Sequence, residues 1–366
     1  MQGDDNQPFA SSSANVSKIS AAGYENNTSQ SSNQRLQENK LVTLRRLLES
    51  DLPSADVKWS LFVAACQSYR YDSCLKPFPP LFMKGDTKDI DGLREVVDKT
   101  PALPVLLQHL HDPDVYHTNP VVIDLLTWVL AHFKDYHLKS VQKKEFNLVL
   151  SQVHCETPVQ PPNFIFQLNS TSNSVQEIRW EDLQKGRKTL FAFHGSRLEN
   201  FHSILHHGLQ QHLTKNALFG RGIYLSSELS VSLPYSPMGY GWGRSLLGDQ
   251  MSCVALCEMI DHPDVKCQSE ASDKNRALNT DSIGGEVPKK YYVVVNSDLV
   301  RVRHLLVYCR RTSGKRERSS SLLNWLGNHK LLTFILGYIV LLASVGLSNN
   351  HYVQRYYKML LHRAGY

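Results

Sequence analysis

Two short segments of the sequence place a histidine, glycines and a tyrosine where they could bind a ligand. His194 ends the apolar run KTLFAFHG, and Gly195 after it allows the backbone to approach a ligand closely. Further along the chain, Gly220 and Gly222 precede Tyr224 in FGRGIYLS. On its own, each pattern is typical of a strand end that has only a structural role. Together they predict two neighbouring strands that open onto a cleft, where a flat heteroaromatic ligand could stack and accept backbone hydrogen bonds.

The segments FHGSRLENFHSILHHGL and LFGRGIYLSSELSVSLPYS resemble the NAD-binding core of the poly(ADP-ribose) polymerase family. Over about residues 45–350 the chain is similar to the branch of that family that is anchored in the endoplasmic reticulum and transfers single ADP-ribose units. The resemblance implies that NAD is the substrate, that nicotinamide is released, and that acceptors are proteins, including this chain itself. It implies no need for a metal.

The resemblance also implies a role for each matched residue. His194 matches the triad histidine that binds the adenosine-side ribose, and Tyr224 matches the second triad residue, which packs against nicotinamide. Gly195 and Ser232 match positions that bind the carboxamide, while Tyr235 matches a tyrosine that stacks on the other face of the ring. Two further matched positions lie near the adenine end, namely Ser196 and Asn200.

The third position of the triad distinguishes polymer formation from transfer of one unit. Polymerising family members have a glutamate there, on a late strand, whereas the matching run KKYYVVVN places Tyr291 at this position, with Tyr292 as the alternative register. A tyrosine, with an ordinary pKa of about 10, cannot act as a carboxylate base at neutral pH. We therefore predict transfer of a single ADP-ribose. Glu258 and Glu286 are the nearby carboxylates that could substitute for the missing one.

The reaction itself needs little acid–base help. Breaking the bond between ribose and nicotinamide leaves an oxocarbenium-like ribose, the type of transition state that glycosidases use, so the protein mainly has to orient its substrate. The alternative hypothesis is a catalytically silent membrane scaffold that binds NAD or ADP-ribose. The presence of His194, Gly195, Tyr224 and Tyr235 together favours the enzyme.

The elements that position these residues follow a change in composition along the chain. Residues 1–35, rich in Ser, Asn and Gln, are predicted to be disordered. Residues 36–156 are predicted to form a helical domain, since apolar residues recur every three or four positions and Asn119-Pro120 is typical of a helix start. Residues 157–310 contain short β-rich runs, and by the resemblance they form the NAD-binding catalytic domain. The predicted fold class is α+β with a mostly antiparallel sheet.

Composition and missing motifs exclude several other functions. No GxGxxG follows a strand and no GxxxxGK[ST] exists, which argues against a Rossmann site or a P-loop. The net charge of +6 lies largely near the C-terminus, so no specific nucleic-acid binding is expected. The seven cysteines form no CxxC pair, which suits a reducing compartment and predicts no metal site. Cys253 and Cys257 are expected to be small buried hydrophobic residues.

Near the C-terminus the run LLTFILGYIVLLASVGL predicts a membrane anchor. It carries no charge, and basic residues are more abundant before it than after it. We predict a basic linker at 311–329, a transmembrane helix at 330–348 in the lipid bilayer and a short lumenal tail at 349–366. The expected location is the endoplasmic reticulum membrane, with the nuclear envelope as an alternative and the catalytic domain in the cytosol. Cytosolic placement predicts no glycosylation at the sequons that begin at Asn15, Asn26, Asn27 and Asn169.

Overall fold

The computed structural model describes residues 35–111, 119–131, 136–170, 175–213, 218–268 and 276–312, together with 338 and 342. The chain divides into two compact units, Met1–Thr312 and Ser313–Tyr366. Almost all described residues belong to the first unit.

Helices dominate the first part of the chain, as the sequence predicted. Asp51 caps the central helix by accepting a hydrogen bond from the Ser54 N–H (2.9 Å), and a proline occupies the first turn. Asn119 caps the last helix through the Val121 N–H (3.0 Å), which confirms the predicted start. These helices bury Trp59 and other apolar side chains in a common core. Their bounds are 35–50 (α1), Leu52–Gln67 (α2), Tyr71–Cys74 (α3), Ile90–Lys99 (α4), Leu103–Leu110 (α5) and Pro120–Ala131 (α6).

The described residues after α6 contain a nine-stranded antiparallel sheet. A separate hairpin joins Met83–Lys84 (β1) to Thr87–Lys88 (β2). The strands of the sheet are Tyr136–Ser140 (β3), Phe164–Ser170 (β4), Thr189–Gly195 (β5), Ile223–Ser226 (β6), Gly239–Tyr240 (β7), Gln250–Ile260 (β8), Val265–Lys266 (β9), Tyr291–Val294 (β10) and Val300–Arg310 (β11). They are ordered β3-β4-β11-β8-β5-β6-β10-β9, and β7 pairs with β8. The helical region followed by an antiparallel sheet confirms that part of the predicted fold class.

The structure differs from the sequence prediction inside 36–156, where helix alone was expected. β3 lies in this range and pairs with β4. Its residues alternate in burial, with Tyr136 and Leu138 buried and His137 and Lys139 exposed, which is the period of a strand. The β1–β2 hairpin is a second departure. Helix Phe146–Leu150 (α7) lies in the region predicted to be helical. Among the described residues of 157–310, where the sequence analysis identified β-rich runs, three helices are also found: Val175–Gln184 (α8), Phe201–His207 (α9) and Leu229–Ser232 (α10).

Helix α2 joins the helical region to the sheet. The buried Asp56 carboxylate accepts hydrogen bonds from the Ser245 hydroxyl and from the Leu246 N–H (3.0 Å). At the start of the helix, Asp51 accepts a hydrogen bond from the N–H of Ser140 in β3 (2.7 Å). Because removing a buried acceptor leaves its donors unpaired, these contacts fix α2 against the sheet.

Both cysteines of β8 lie in the core. Cys253 and Cys257 are fully buried and four residues apart on one strand, so they share a face. This confirms them as small core residues.

Several predicted segments lie outside the described residues. These are most of the tail 1–35 with the sequons at Asn15, Asn26 and Asn27, nearly all of the linker 311–329, the predicted span 330–348 apart from residues 338 and 342, and the tail 349–366. In the part of the chain that the structure describes, no helix has the length and apolar character needed to cross a bilayer.

Candidate NAD-binding site

The predicted ligand-binding residues lie on three adjacent strands and on the segments that follow two of them. β5 and β6 are neighbours, as the sequence predicted, and they meet with Phe193 opposite Ser226. β10 continues the sheet beyond β6, with Tyr291 opposite Ser226. The ends of these strands, and the turns after them, bring together residues that are far apart in the chain.

His194 is held in one tautomer by the neighbouring strand. Its Nδ1 lies 2.9 Å from the carbonyl oxygen of Tyr224. Because a carbonyl only accepts, Nδ1 must carry the proton, which leaves Nε2 as an acceptor. Burial lowers the pKa of His194, while the hydrogen bond to the Tyr224 carbonyl opposes that shift. The imidazole is therefore neutral at pH 7, and its Nε2 can accept a hydrogen bond from a hydroxyl group.

Gly195 is pressed against the turn that follows β6. A Cβ atom at this position would lie 2.1 Å from the Ser232 carbonyl oxygen and 2.9 Å from the Tyr235 Cβ. No side chain fits there, so only glycine permits this approach. Ser232 is buried and its hydroxyl donates to the Phe193 carbonyl (3.2 Å), whereas Tyr235 is 60% exposed. The backbone of Gly195 thus lies beside an aromatic ring that is free to stack on a ligand.

The hydroxyl of Tyr224 is occupied by the turn before its own strand. It accepts a hydrogen bond from the Phe219 N–H (2.9 Å) and donates one to the Gly220 carbonyl (2.8 Å). Burial raises the pKa of Tyr224, so the hydroxyl stays protonated. The ring is fixed in place by these bonds, and its face is the part that a ligand could use.

Two residues that sequence reasoning missed form hydrogen bonds to the turn before β6. The Asp281 carboxylate accepts a hydrogen bond from the Arg221 N–H (2.9 Å), and the Asn279 amide donates to the Arg221 carbonyl (3.1 Å). Gly220 has φ +88, and both side chains lie within 2.5 Å of where its Cβ would be. No local pattern indicates these contacts, because they join segments about sixty residues apart.

Tyr291, and not Tyr292, lies on the side of Tyr224. Tyr291 and Val293 are opposite Ser226 and Tyr224, so all four share one face of the paired strands. The Tyr291 ring centroid lies 6.3 Å from that of Phe219.

Tyr292 packs on the other face of these strands, against the large core. Burial, and then the nearby Tyr235, raise the pKa of Tyr291, which keeps its hydroxyl protonated at neutral pH.

The two carboxylates named as possible substitutes have other partners. Glu258 lies opposite Phe191, three residues before His194 on β5, and accepts a hydrogen bond from Arg303 Nε (2.7 Å). It lines a separate cavity of about 360 Å³. Glu286 accepts a long hydrogen bond from the Gln268 amide (3.5 Å) in an exposed loop. Neither contact places a carboxylate beside Tyr291.

A third carboxylate, which sequence reasoning missed, lies just after β6. Glu228 is buried and accepts hydrogen bonds from the N–H groups of Glu156 (2.8 Å) and Thr157 (3.2 Å). These bonds, together with Lys290 at 3.6 Å, lower the pKa of Glu228. Its charge is thus used to hold the segment before β4 against β6 and the start of β10.

The two residues predicted at the adenine end are also brought to this site. Ser196 follows Gly195, and its hydroxyl accepts a hydrogen bond from the Asn200 amide (2.9 Å). Asn200 ends a short 3₁₀ helix, Leu198–Asn200, against which α2 packs. Within the described residues, no group of three or more His, Cys, Asp or Glu side chains is arranged to hold a metal ion.

Comparison with known proteins matches the chain to two family models. One, described as the ARTD15 N-terminal domain, matches residues 46–130, and the other, the poly(ADP-ribose) polymerase catalytic domain, matches residues 143–310. The chain is 43% identical over 314 residues to the mouse protein named protein mono-ADP-ribosyltransferase PARP16, covering 84% of this chain and 94% of that protein. The human protein of the same name is 42% identical over 313 residues, with the same coverage. Mouse protein mono-ADP-ribosyltransferase PARP8 is 26% identical over 299 residues, which cover 69% of this chain and 31% of that protein.

Proposed function

The chain belongs to the poly(ADP-ribose) polymerase family of NAD-dependent ADP-ribosyltransferases, and on that premise we propose that it attaches single ADP-ribose units to proteins, including itself, at the cytosolic face of the endoplasmic reticulum. The observation that carries the site assignment is the approach of Gly195 to the turn of Ser232 and Tyr235, which leaves no room for a side chain. A flat amide-bearing ring such as nicotinamide fits a site made of glycine backbone and tyrosine faces.

In this proposal nicotinamide lies between the rings of Tyr224 and Tyr235. Its carboxamide bonds the backbone of Gly195 and the hydroxyl of Ser232, which rotates away from the Phe193 carbonyl. The neutral His194 accepts a hydrogen bond from the adenosine-side ribose through Nε2. Ser196 and Asn200, which bond each other, lie at the adenine end.

The transfer breaks the bond between ribose C1′ and the nicotinamide nitrogen, and the electron pair leaves with nicotinamide. An acceptor oxygen or nitrogen then bonds C1′ and loses its proton to solvent. The residues of this chain orient the substrate rather than exchange protons with it. Tyr291, protonated and without a carboxylate, does not activate a ribose hydroxyl for a second transfer, and this supports transfer of one unit.

Incubation of the full-length chain, in mild detergent, with labelled NAD tests the transfer. The wild type should carry a discrete label on a denaturing gel, and both His194→Ala and Tyr224→Ala should lose it. An upward smear would contradict transfer of single units. Binding of NAD without any label would favour the silent scaffold.

Membrane placement rests on the apolar run at 331–347 and the basic residues before it. Insertion into microsomes tests it, with a glycosylation tag added after Tyr366. The tag should be glycosylated, while the natural sequons stay unmodified. Asn169 is exposed on β4, so burial would not explain its lack of a glycan. Glycosylation at Asn169 with an unmodified tag would reverse the proposed orientation.

A further inference from the structure

Ser236, directly after the exposed Tyr235, uses three of its polar groups to hold the site together. Its hydroxyl oxygen accepts a hydrogen bond from the Ser196 N–H (3.0 Å). Its carbonyl accepts one from the Ser252 hydroxyl (2.6 Å), and its N–H donates to the Leu233 carbonyl (2.9 Å). Only 3% of Ser236 is exposed. These bonds connect the turn after β5, the turn after β6 and strand β8.

The bond to the Ser196 N–H determines where the preceding carbonyl points. In a trans peptide the N–H of one residue and the C=O of the residue before it point in opposite directions. Ser236 is bonded to β8, which lies on one side of β5, while β6 lies on the other side. The Gly195 carbonyl therefore points away from β8, into the gap between β5 and β6.

We propose that Ser236 is a positioning residue that orients the Gly195 carbonyl toward the amide of nicotinamide. This inference rests on the proposed function, in which Gly195 binds the carboxamide. Because Gly195 has no Cβ, the peptide between Gly195 and Ser196 rotates easily unless a partner holds it. Ser236 is that partner. It also follows the 3₁₀ helix Leu233–Tyr235 as its C-cap. The same residue therefore fixes the position of the Tyr235 ring relative to the Gly195 carbonyl.

The test compares two ligands on the full-length chain. Benzamide carries a flat ring and a carboxamide, whereas ADP-ribose lacks the nicotinamide part altogether. Ser236→Ala should weaken benzamide binding by about 3- to 10-fold, the range expected for one lost hydrogen bond, and raise KM for NAD by a similar factor. ADP-ribose affinity should stay within about twofold, because the variant leaves the bond between the Ser196 hydroxyl and the Asn200 amide at the adenine end in place.

Ser54→Ala is the matched control. Ser54 is similarly buried, at 4%, and its hydroxyl donates to the Leu138 carbonyl (2.6 Å) away from the site. This variant should bind benzamide as the wild type does. Ser236→Cys keeps the shape of the side chain but offers a weak acceptor, so it should also lose benzamide affinity.

Unchanged benzamide binding in a folded Ser236→Ala or Ser236→Cys protein would overturn the inference. Equal weakening of benzamide and ADP-ribose would also overturn it, since that would indicate a general structural effect. If the wild type bound neither ligand, the proposed function itself would fail. Wild-type binding with an unaffected variant would leave the function in place and remove only the role of Ser236.

Discussion

Replacing Tyr224 by phenylalanine separates the ring of this residue from its hydroxyl. In the structure the hydroxyl bonds the backbone of Phe219 and Gly220, at 2.9 and 2.8 Å, and so serves the protein rather than a ligand. The variant keeps the aromatic face that is proposed to pack against nicotinamide. We therefore expect Tyr224→Phe to affect mainly stability, and Tyr224→Ala to abolish labelling.

The size of the effect follows from the two hydrogen bonds. Each contributes about 0.5–1.5 kcal/mol net, so Tyr224→Phe should lower the free energy of unfolding by about 1–3 kcal/mol. For a unit of this size, each kcal/mol shifts Tm by about 2–4 °C. The lower half of the range is expected because Tyr224 is only partly buried. A decrease in Tm of about 2–8 °C is therefore expected.

Differential scanning calorimetry and labelling by NAD, measured well below Tm, test this prediction. Labelling by Tyr224→Phe should fall less than tenfold, whereas the alanine variant should be inactive. Tyr240→Phe is the matched control, since Tyr240 is 71% exposed, and it should change neither quantity. A Tyr224→Phe protein with normal Tm but no activity would refute the reasoning, because the hydroxyl would then act on NAD directly.

Three further predictions follow from the geometry of the site and its surroundings. Gly195→Ala should reduce labelling by about 100-fold, because its Cβ would meet the Ser232 carbonyl oxygen at 2.1 Å and shift the backbone. Gly241→Ala is the control and should remain active, since the nearest atoms to its Cβ would be 3.6 Å away or more. Tyr291→Ala should lower labelling without a large change in Tm. Tyr292→Ala should lower Tm, because about 2 kcal/mol of core packing is lost. The reverse result would mean that Tyr292, and not Tyr291, faces the site. Burial lowers the pKa of His202 to about 4, so between pH 4 and 6.5 this histidine binds a proton in the unfolded chain but not in the folded one. Its contribution to the free energy of unfolding should therefore rise by about 3 kcal/mol as the pH rises through this range. Chemical denaturation at several pH values should show that the free energy of unfolding depends less steeply on pH in His202→Gln than in the wild type.

Much of the site could be predicted from the sequence because its residues follow local patterns. The runs that form β5, β6, β8 and β11 are apolar and β-rich, and glycines mark where the strands end. His194, Gly195 and Tyr224 stand at these ends, so their types and spacing already indicated a cleft.

Other parts of the fold had weak local signals. β3 is five residues long and its alternation is short, so it was included in a region of helical periodicity. Its pairing with β4 decides that these residues form a strand, because the backbone hydrogen bonds come from a partner that lies later in the chain.

The sequence alone determined which residue types are available for the chemistry: a histidine and a glycine at a strand end, two tyrosines in and after the next strand, and a tyrosine in place of a glutamate. Only the tertiary structure decided which neighbours hold them. The bond from Ser196 to Ser236 and the clasp of Arg221 by Asp281 join turns that are 40 and 60 positions apart. The choice between Tyr291 and Tyr292 has the same origin. The sequence pattern of a strand shows only that successive side chains point to alternate faces. The register with the neighbouring strand decides which of the two faces meets the site.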